Sequence, residues 1–247
     1  MRIELNSRVV IVTGANGGLG QAIAAAFLRE SPSTFVWLGV RQRRDGAESL
    51  VREFPGRCGC LDLDVTRPEE WQAAVNKVSE THARLDVLVN NAGTHADALL
   101  ATMPAPQWKQ VLATHLDGAF YGCQAVLPAM ISQRSGRIVN VASLSALLPP
   151  PGQANYAAAK AGLVALTRSL AKEVARLNIT VNAVCPGYID TEALAAMSDE
   201  ERRAAQARVP MRRFGAPGEV AAAVTFLASP AASYITGAIL KVDGGIY

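Results

Sequence analysis

The chain has 247 residues, 50% of them hydrophobic and 6% aromatic, with a formal net charge of +3. That length fits one undivided α/β domain, and so small a positive charge argues against a nucleic-acid partner. No apolar run approaches the roughly 18 residues of a membrane span, and residues 9–12 are shorter than a signal-peptide core, so the expectation is a soluble, cytoplasmic protein with no membrane partner.

Residues 8–12 (RVVIV) form a short β-branched run of the kind that suits a parallel strand buried on both faces. It leads into Thr13-Gly14-Ala15-Asn16-Gly17-Gly18-Leu19-Gly20 and then a helical stretch, residues 21–29. Strand, glycine loop and helix in that order bind phosphate. The glycines allow a tight turn and close approach, and the helix N-terminus offers free N–H groups and a positive dipole end. The second strand, residues 34–40, runs into Arg41-Gln42-Arg43-Arg44. NAD sites usually place an acid about 20 residues past the glycines, whereas arginine accommodates a 2′-phosphate. With no acid at this strand end, Arg41, helped by Arg43 or Arg44, points to NADP(H).

Residues 46–53 predict a helix and 57–63 a third strand, ending at Asp62-Leu63-Asp64-Val65. Pro68 opens a helix with Glu69 and Glu70 in its first turn, where the dipole favours them, and Trp71 in the core. Residues 85–89 predict a fourth strand leading into Asn90-Asn91-Ala92-Gly93, a turn that lets a flat ligand pass close to the backbone. A long helical region follows over 106–130, with Pro128 near its end. The four cysteines, Cys58, Cys60, Cys123 and Cys185, lack zinc or redox spacing and read as reduced, buried thiols, so no metal is expected.

The chain is organised around residues 143–160. Ser143 follows the fifth strand, residues 137–141, at the carboxyl edge where open α/β sheets place their ligands. On the next helix Tyr156 and Lys160, four positions apart, share one face. A free phenol keeps its proton to about pH 10, and a fixed cation beside it brings it into acid/base range. Together the three groups can polarise a carbonyl and protonate the forming alkoxide. Residues 179–184 predict strand six, and after Cys185-Pro186-Gly187 a polar stretch over 188–215 predicts a substrate lid with a helical patch at 198–208. A last helix over 218–228 and a strand over 238–242 complete a doubly wound sheet within a single domain, 1–247.

With these pieces in place, TGANGGLG at Thr13, Asp64-Val65, NNAG at Asn90, Ser143, YAAAK at Tyr156 and Pro186-Gly187, the sequence resembles the short-chain dehydrogenase/reductase family over essentially its full length. The resemblance implies a Rossmann-type sheet of seven parallel strands with helices on both faces. It implies that Tyr156 is the general acid/base, that Lys160 lowers its pKa and holds the nicotinamide ribose, and that Ser143 orients the carbonyl. It further implies that the cofactor is bound by Gly14, Asn16, Gly17, Gly18, Leu19 and Gly20, with Asp64 and Val65 bordering the adenine. Asn91, Ala92 and Gly93 are expected to line the cofactor, and Pro186, Gly187, Ile189 and Thr191 to meet the carboxamide.

Within that family the tail from Val209 to Tyr247 and the phrase PGYIDTEAL look like those of 3-oxoacyl-(acyl carrier protein) reductases. This likeness implies NADPH-dependent reduction of a 3-oxoacyl thioester in fatty-acid synthesis, a homotetramer, and an acidic carrier protein docked on Lys172 and the lid arginines Arg202, Arg203, Arg208, Arg212 and Arg213. The alternatives are a reductase of another ketone or secondary alcohol, as in a specialised polyketide or polyene pathway, and a cofactor-binding regulatory protein without turnover. One position departs from the pattern. His115 stands where the family places an asparagine whose helix bulge holds a water linked to the lysine, and an imidazole can itself carry protons near neutral pH.

Overall fold

A computed structural model describes residues 7–194 and 197–247. In chain order the main elements are β1 (Val9–Thr13), α1 (Gly18–Glu30), β2 (Phe35–Val40), α2 (Asp45–Glu53), β3 (Cys58–Asp62), α3 (Pro68–His82), β4 (Val87–Asn90) and α4 (Ala105–Leu112). They continue with α5 (Gly118–Gln133), β5 (Gly136–Val141), α6 (Ala154–Val174), β6 (Ile179–Pro186), α7 (Asp199–Arg208), α8 (Pro217–Ala228) and β7 (Ile239–Val242). The strands form one parallel sheet in the order β3-β2-β1-β4-β5-β6-β7. The order reverses between β1 and β4, and the crevice beyond their carboxyl ends is where such sheets bind ligands.

The central strands β1, β4, β5 and β6 are buried throughout because helices cover both faces of the sheet. Along β1 the period of two divides the side chains: Val10 and Val12 pack with Ile23, Phe27, Val220 and Val224 on the side of α1 and α8. Val9 and Ile11 pack with Trp71, Val75, Val126 and Met130 on the side of α3 and α5. Trp71 is fully buried, and its indole N–H donates to the Val65 carbonyl at 3.1 Å. A buried indole of this kind carries about 3–5 kcal/mol against alanine.

The expected elements are present, with differences that have local causes. The first helix begins at Gly18 instead of Gln21, because the last glycines of the loop belong to its first turn. The long helical region is not one helix: α4 passes through a π-helical turn, Ala113–Asp117, before α5, which runs through the exposed Pro128 to Gln133. A turn of that class widens the backbone spiral and is often found at functional sites. Ser143 lies beyond β5, where its hydroxyl accepts from the Ser145 amide at 3.1 Å and caps a 3-10 turn. All four cysteines are free, with Cys58, Cys123 and Cys185 buried and Cys60 half-buried.

The segment 188–215 leaves the end of β6 and returns to α8. Its two ends are joined where the Gly215 amide donates to the Tyr188 carbonyl and the Asp190 amide to the Gly215 carbonyl, both at 2.9 Å. Helix α7 within it opens on a reciprocal cap in which the Glu201 amide donates to Ser198 Oγ and the Ser198 amide to Glu201 Oε2. Ala195 and Ala196 of this segment lie outside the described residues. Among the described residues no helix is long and apolar enough to cross a membrane.

Candidate active site

The site begins at the end of β1. Thr13 Oγ1 accepts from the amides of Asn91 and Ala92, both at 2.9 Å, and Asn91 Nδ2 donates to the Thr13 carbonyl at 2.9 Å and the Gly14 carbonyl at 3.3 Å. The Asn91 side chain therefore clasps the glycine loop to β4. Gly14 holds φ +64, the left-handed region, and a Cβ there would sit 2.8 Å from Ala92 Cα. A Cβ on Gly20 would collide with the Gly14 carbonyl, so α1 can only start this close to the strand without one. Asn16 is used structurally: its Oδ1 accepts from the amides of Gly46 at 2.9 Å and Ala47 at 3.3 Å, at the start of α2. Leu19 packs against the core.

Gly17 caps α1 without a side-chain bond, and the next amide, Gly18 N–H, donates to Glu192 Oε2 at 3.2 Å. A carboxylate of the chain thus stands at the positive end of α1, which shows that this terminus draws an anion. At the far end of the groove an open cleft is lined by Arg41, Gln42, Asp62, Leu63, Asp64 and Arg67. Arg41 is 56% exposed and 3.9 Å from Asp64 Oδ2, whereas Arg44 is paired with Asp62. Burial alone would raise the Asp64 carboxyl, but two bonds from Thr66 and the charges of Arg41 and Arg67 hold it below its ordinary range. The Val65 side chain turns inward against Gly118.

Strand β5, the start of α6 and the end of β6 bring the chemical groups together. Asn155, fully buried, accepts from the Tyr156 amide through Oδ1 at 2.8 Å and donates through Nδ2 to the Ala96 carbonyl at 2.9 Å. One turn on, Lys160 is buried; its Nζ donates to the Val141 carbonyl at 2.6 Å and lies 5.6 Å from the centre of the Tyr156 ring. Burial pushes its ammonium down to about 7. The Tyr156 phenol is pushed up, chiefly by burial, while the Ser143 side chain pulls it down and Asp97 and Cys185 push it up further. Burial thus works against the charged form of both groups, raising the phenol and lowering the lysine.

His115 sits in the π-helical turn at 4% exposure, with its ring edge-on to Tyr156 at 5.0 Å. Its Nε2 is 2.7 Å from the Thr94 carbonyl and 3.1 Å from the Thr94 amide, while Nδ1 is buried with no partner among the described residues. A water-sized cavity is lined by His115, Lys160, Asn90, Thr114 and Thr13. Burial first, then Lys160, push the imidazole well below its ordinary range, so it is neutral near pH 7. Its surroundings therefore oppose a charged imidazole, while its hydrogen bond to Thr94 stands.

His95, which no pattern in the sequence singles out, also packs on the phenol ring. Its ring centre is 4.7 Å from that of Tyr156 at an interplanar angle of 33°. The Tyr156 ring thus contacts two imidazoles. At the end of β6, the Gly187 amide donates to the Val242 carbonyl, Ile189 is buried, and Thr191 Oγ1 approaches the Ile189 carbonyl at 3.5 Å. Of the lid arginines, Arg202 is bonded to Asp190 and Arg213 doubly to Glu219, while Arg212 donates to the Ala207 carbonyl. Arg203, Arg208 and Lys172 are exposed with no ion pair among the described residues. Among the described residues no group of three or more His, Cys, Asp or Glu could hold a metal ion.

Comparisons with known proteins agree over the whole chain. The family model described as enoyl-(acyl carrier protein) reductase matches residues 14–247. The 3-oxoacyl-[acyl-carrier-protein] reductase FabG of Vibrio cholerae is 41% identical over 245 residues, covering 99% of each chain. That of Thermotoga maritima is 41% identical over 247 residues, again 99% of each chain, and that of Escherichia coli 39% identical over 245 residues and 99% of each. Among solved structures, a putative gluconate dehydrogenase from Agrobacterium tumefaciens superposes with a TM-score of 0.94 at 31% identity, covering 100% of this chain and 98% of the other.

Proposed function

The chain belongs to the short-chain dehydrogenase/reductase family, and from that premise we propose that it reduces a 3-oxoacyl thioester to the 3-hydroxyacyl thioester with NADPH. The observation that carries this reading is the meeting of Ser143, Tyr156 and Lys160 beside the glycine-loop groove in a chain 39–41% identical, end to end, to 3-oxoacyl-[acyl-carrier-protein] reductases.

The groove fits a dinucleotide phosphate: α1 draws a carboxylate to its N-terminus, and the loop leaves no room for a Cβ at Gly14 or Gly20. Gly17, Gly18 and the first turn of α1 hold the pyrophosphate, with Arg41 on the 2′-phosphate and Asp64 and the Val65 backbone at the adenine. Asn91, Ala92 and Gly93 line the groove, and residues 186–191 close over the nicotinamide end. When bound, NADPH supplies a hydride to the carbonyl carbon. Tyr156, kept protonated by burial, gives its proton to the carbonyl oxygen, so that C=O becomes CH–OH. Ser143 donates a hydrogen bond to the same oxygen and stabilises its developing charge. Lys160, held by the Val141 carbonyl, fixes the polar floor under the phenol, and a water in the adjoining cavity connects it to His115 by hydrogen bonding alone.

The substrate is carried by an acidic carrier protein that docks on Lys172, Arg203 and Arg208, which are exposed and form no ion pair among the described residues. The protein works in the cytoplasm as a homotetramer, and the exposed Phe120 and Ile131 on α5 and Leu240 on β7 supply apolar contact surface. A second reading, oxidation or reduction of another secondary alcohol or ketone, is favoured by the likeness to the putative gluconate dehydrogenase. Loss of NADPH absorbance with an acetoacetyl thioester tests the first reading, and Tyr156→Phe is expected to lower that turnover about a thousandfold while NADPH still binds. Turnover confined to free ketones or sugars would move the protein to the second.

A further inference from the structure

We infer that His95 determines substrate specificity by donating a hydrogen bond to a second oxygen of the substrate, the thioester carbonyl placed two carbons from the reacting ketone. The inference rests on the 3-oxoacyl reading above. Of the polar side chains around the Tyr156 phenol, Ser143 is part-buried and His115 and Lys160 are almost wholly enclosed, whereas His95 is exposed. Among the described residues neither ring nitrogen of His95 has a protein partner, while His115 spends its Nε2 on Thr94. His95 therefore offers incoming ligand a free N–H and a free acceptor beside the reacting group.

Its position is fixed from both sides. Before it, Thr94 is bonded to His115; after it, the Ala96 carbonyl accepts from Asn155 Nδ2 at 2.9 Å and Asp97 Oδ2 from Gln153 Nε2 at 2.8 Å. The Ala98 amide then donates to the Gly152 carbonyl at 2.9 Å. Three of these anchors lie at the start of α6, the helix that carries Tyr156, so loop and phenol are held as one unit. The face of the ring that packs on the phenol loses water while the rest stays exposed; that loss and the charge of Lys160 push the imidazole down, with Asp97 opposing, which keeps it a neutral donor. A neutral donor suits an uncharged thioester carbonyl better than a carboxylate or phosphate. A substrate with one isolated ketone leaves His95 without a role.

The experiment compares two acyl thioesters of the same carrier, 3-oxobutanoyl and 4-oxopentanoyl, the second with its ketone one carbon further from the thioester. His95→Phe keeps a ring on the phenol but removes both nitrogens, and His95→Gln keeps a donor without the ring. We expect His95→Phe to lower kcat/KM for the 3-oxo substrate about tenfold, the loss of one hydrogen bond, while the 4-oxo substrate changes less than about twofold and Tm is unmoved. His95→Gln retains most of the preference. Equal losses on both substrates, or none on either, would overturn the assignment of His95. No turnover of the 3-oxo thioester by the unaltered protein would instead reject the reading on which it rests, and the inference with it.

Discussion

The Glu192 carboxylate lies 3.2 Å from the Gly18 amide, so the first turn of α1 already holds an anion supplied by the segment that follows β6. On the proposed reading a cofactor phosphate would take the same N–H groups and meet the same negative charge. Glu192→Gln keeps the shape and removes the charge, and is expected to tighten NADPH binding about threefold to fivefold at low salt, less at high salt. Fluorescence titration measures this. Weaker binding in the variant would mean that the carboxylate supports the bound form instead of competing with it.

Arg41 is more than half exposed and lies at the outer limit of an ion pair with Asp64, which leaves its guanidinium free to meet a phosphate. A charge-assisted, two-pronged bond of that kind is worth about 1.5–3 kcal/mol. Arg41→Ala is therefore expected to weaken NADPH more than tenfold and NADH less than twofold, by equilibrium binding. Equal losses for the two would remove Arg41 from the 2′-phosphate site.

Burial holds the Lys160 ammonium at about 7, whereas a lysine in an unfolded chain titrates at about 10.4. Between those values the unfolded chain binds the extra proton, so stability rises with pH across the window, and the cost of Lys160 is greatest below it. Thermal unfolding of Lys160→Met should show a higher Tm than the unaltered protein at neutral pH, with the gap closing towards pH 10. A gap that did not change with pH would place the cost of this lysine in packing.

Burial favours the neutral form of His115, whose Nε2 is bonded to Thr94, and a contribution through geometry is expected. An asparagine can offer the same hydrogen bond from a smaller side chain. His115→Asn is expected to keep kcat within about tenfold, with no change in the shape of the pH profile near neutrality. A hundredfold loss of turnover would show that the imidazole does something an amide cannot.

The β-branched run at residues 9–12, the glycines that follow, Ser143, and the four-residue step from Tyr156 to Lys160 are local signals. Each is set by side-chain type at short spacing, and periodicity placed the strands and helices within a few residues for the same reason. What the chain could not disclose by itself were contacts between residues far apart along it. Glu192 reaches Gly18 across 174 positions, and His95 meets Tyr156 through a loop with no period of its own. The ionisation of Lys160 belongs to the same class. Spacing alone promised a cation beside the phenol, but charge depends on how much water remains around it, and that was decided only when α6 closed against β5 and β6 and buried the ammonium.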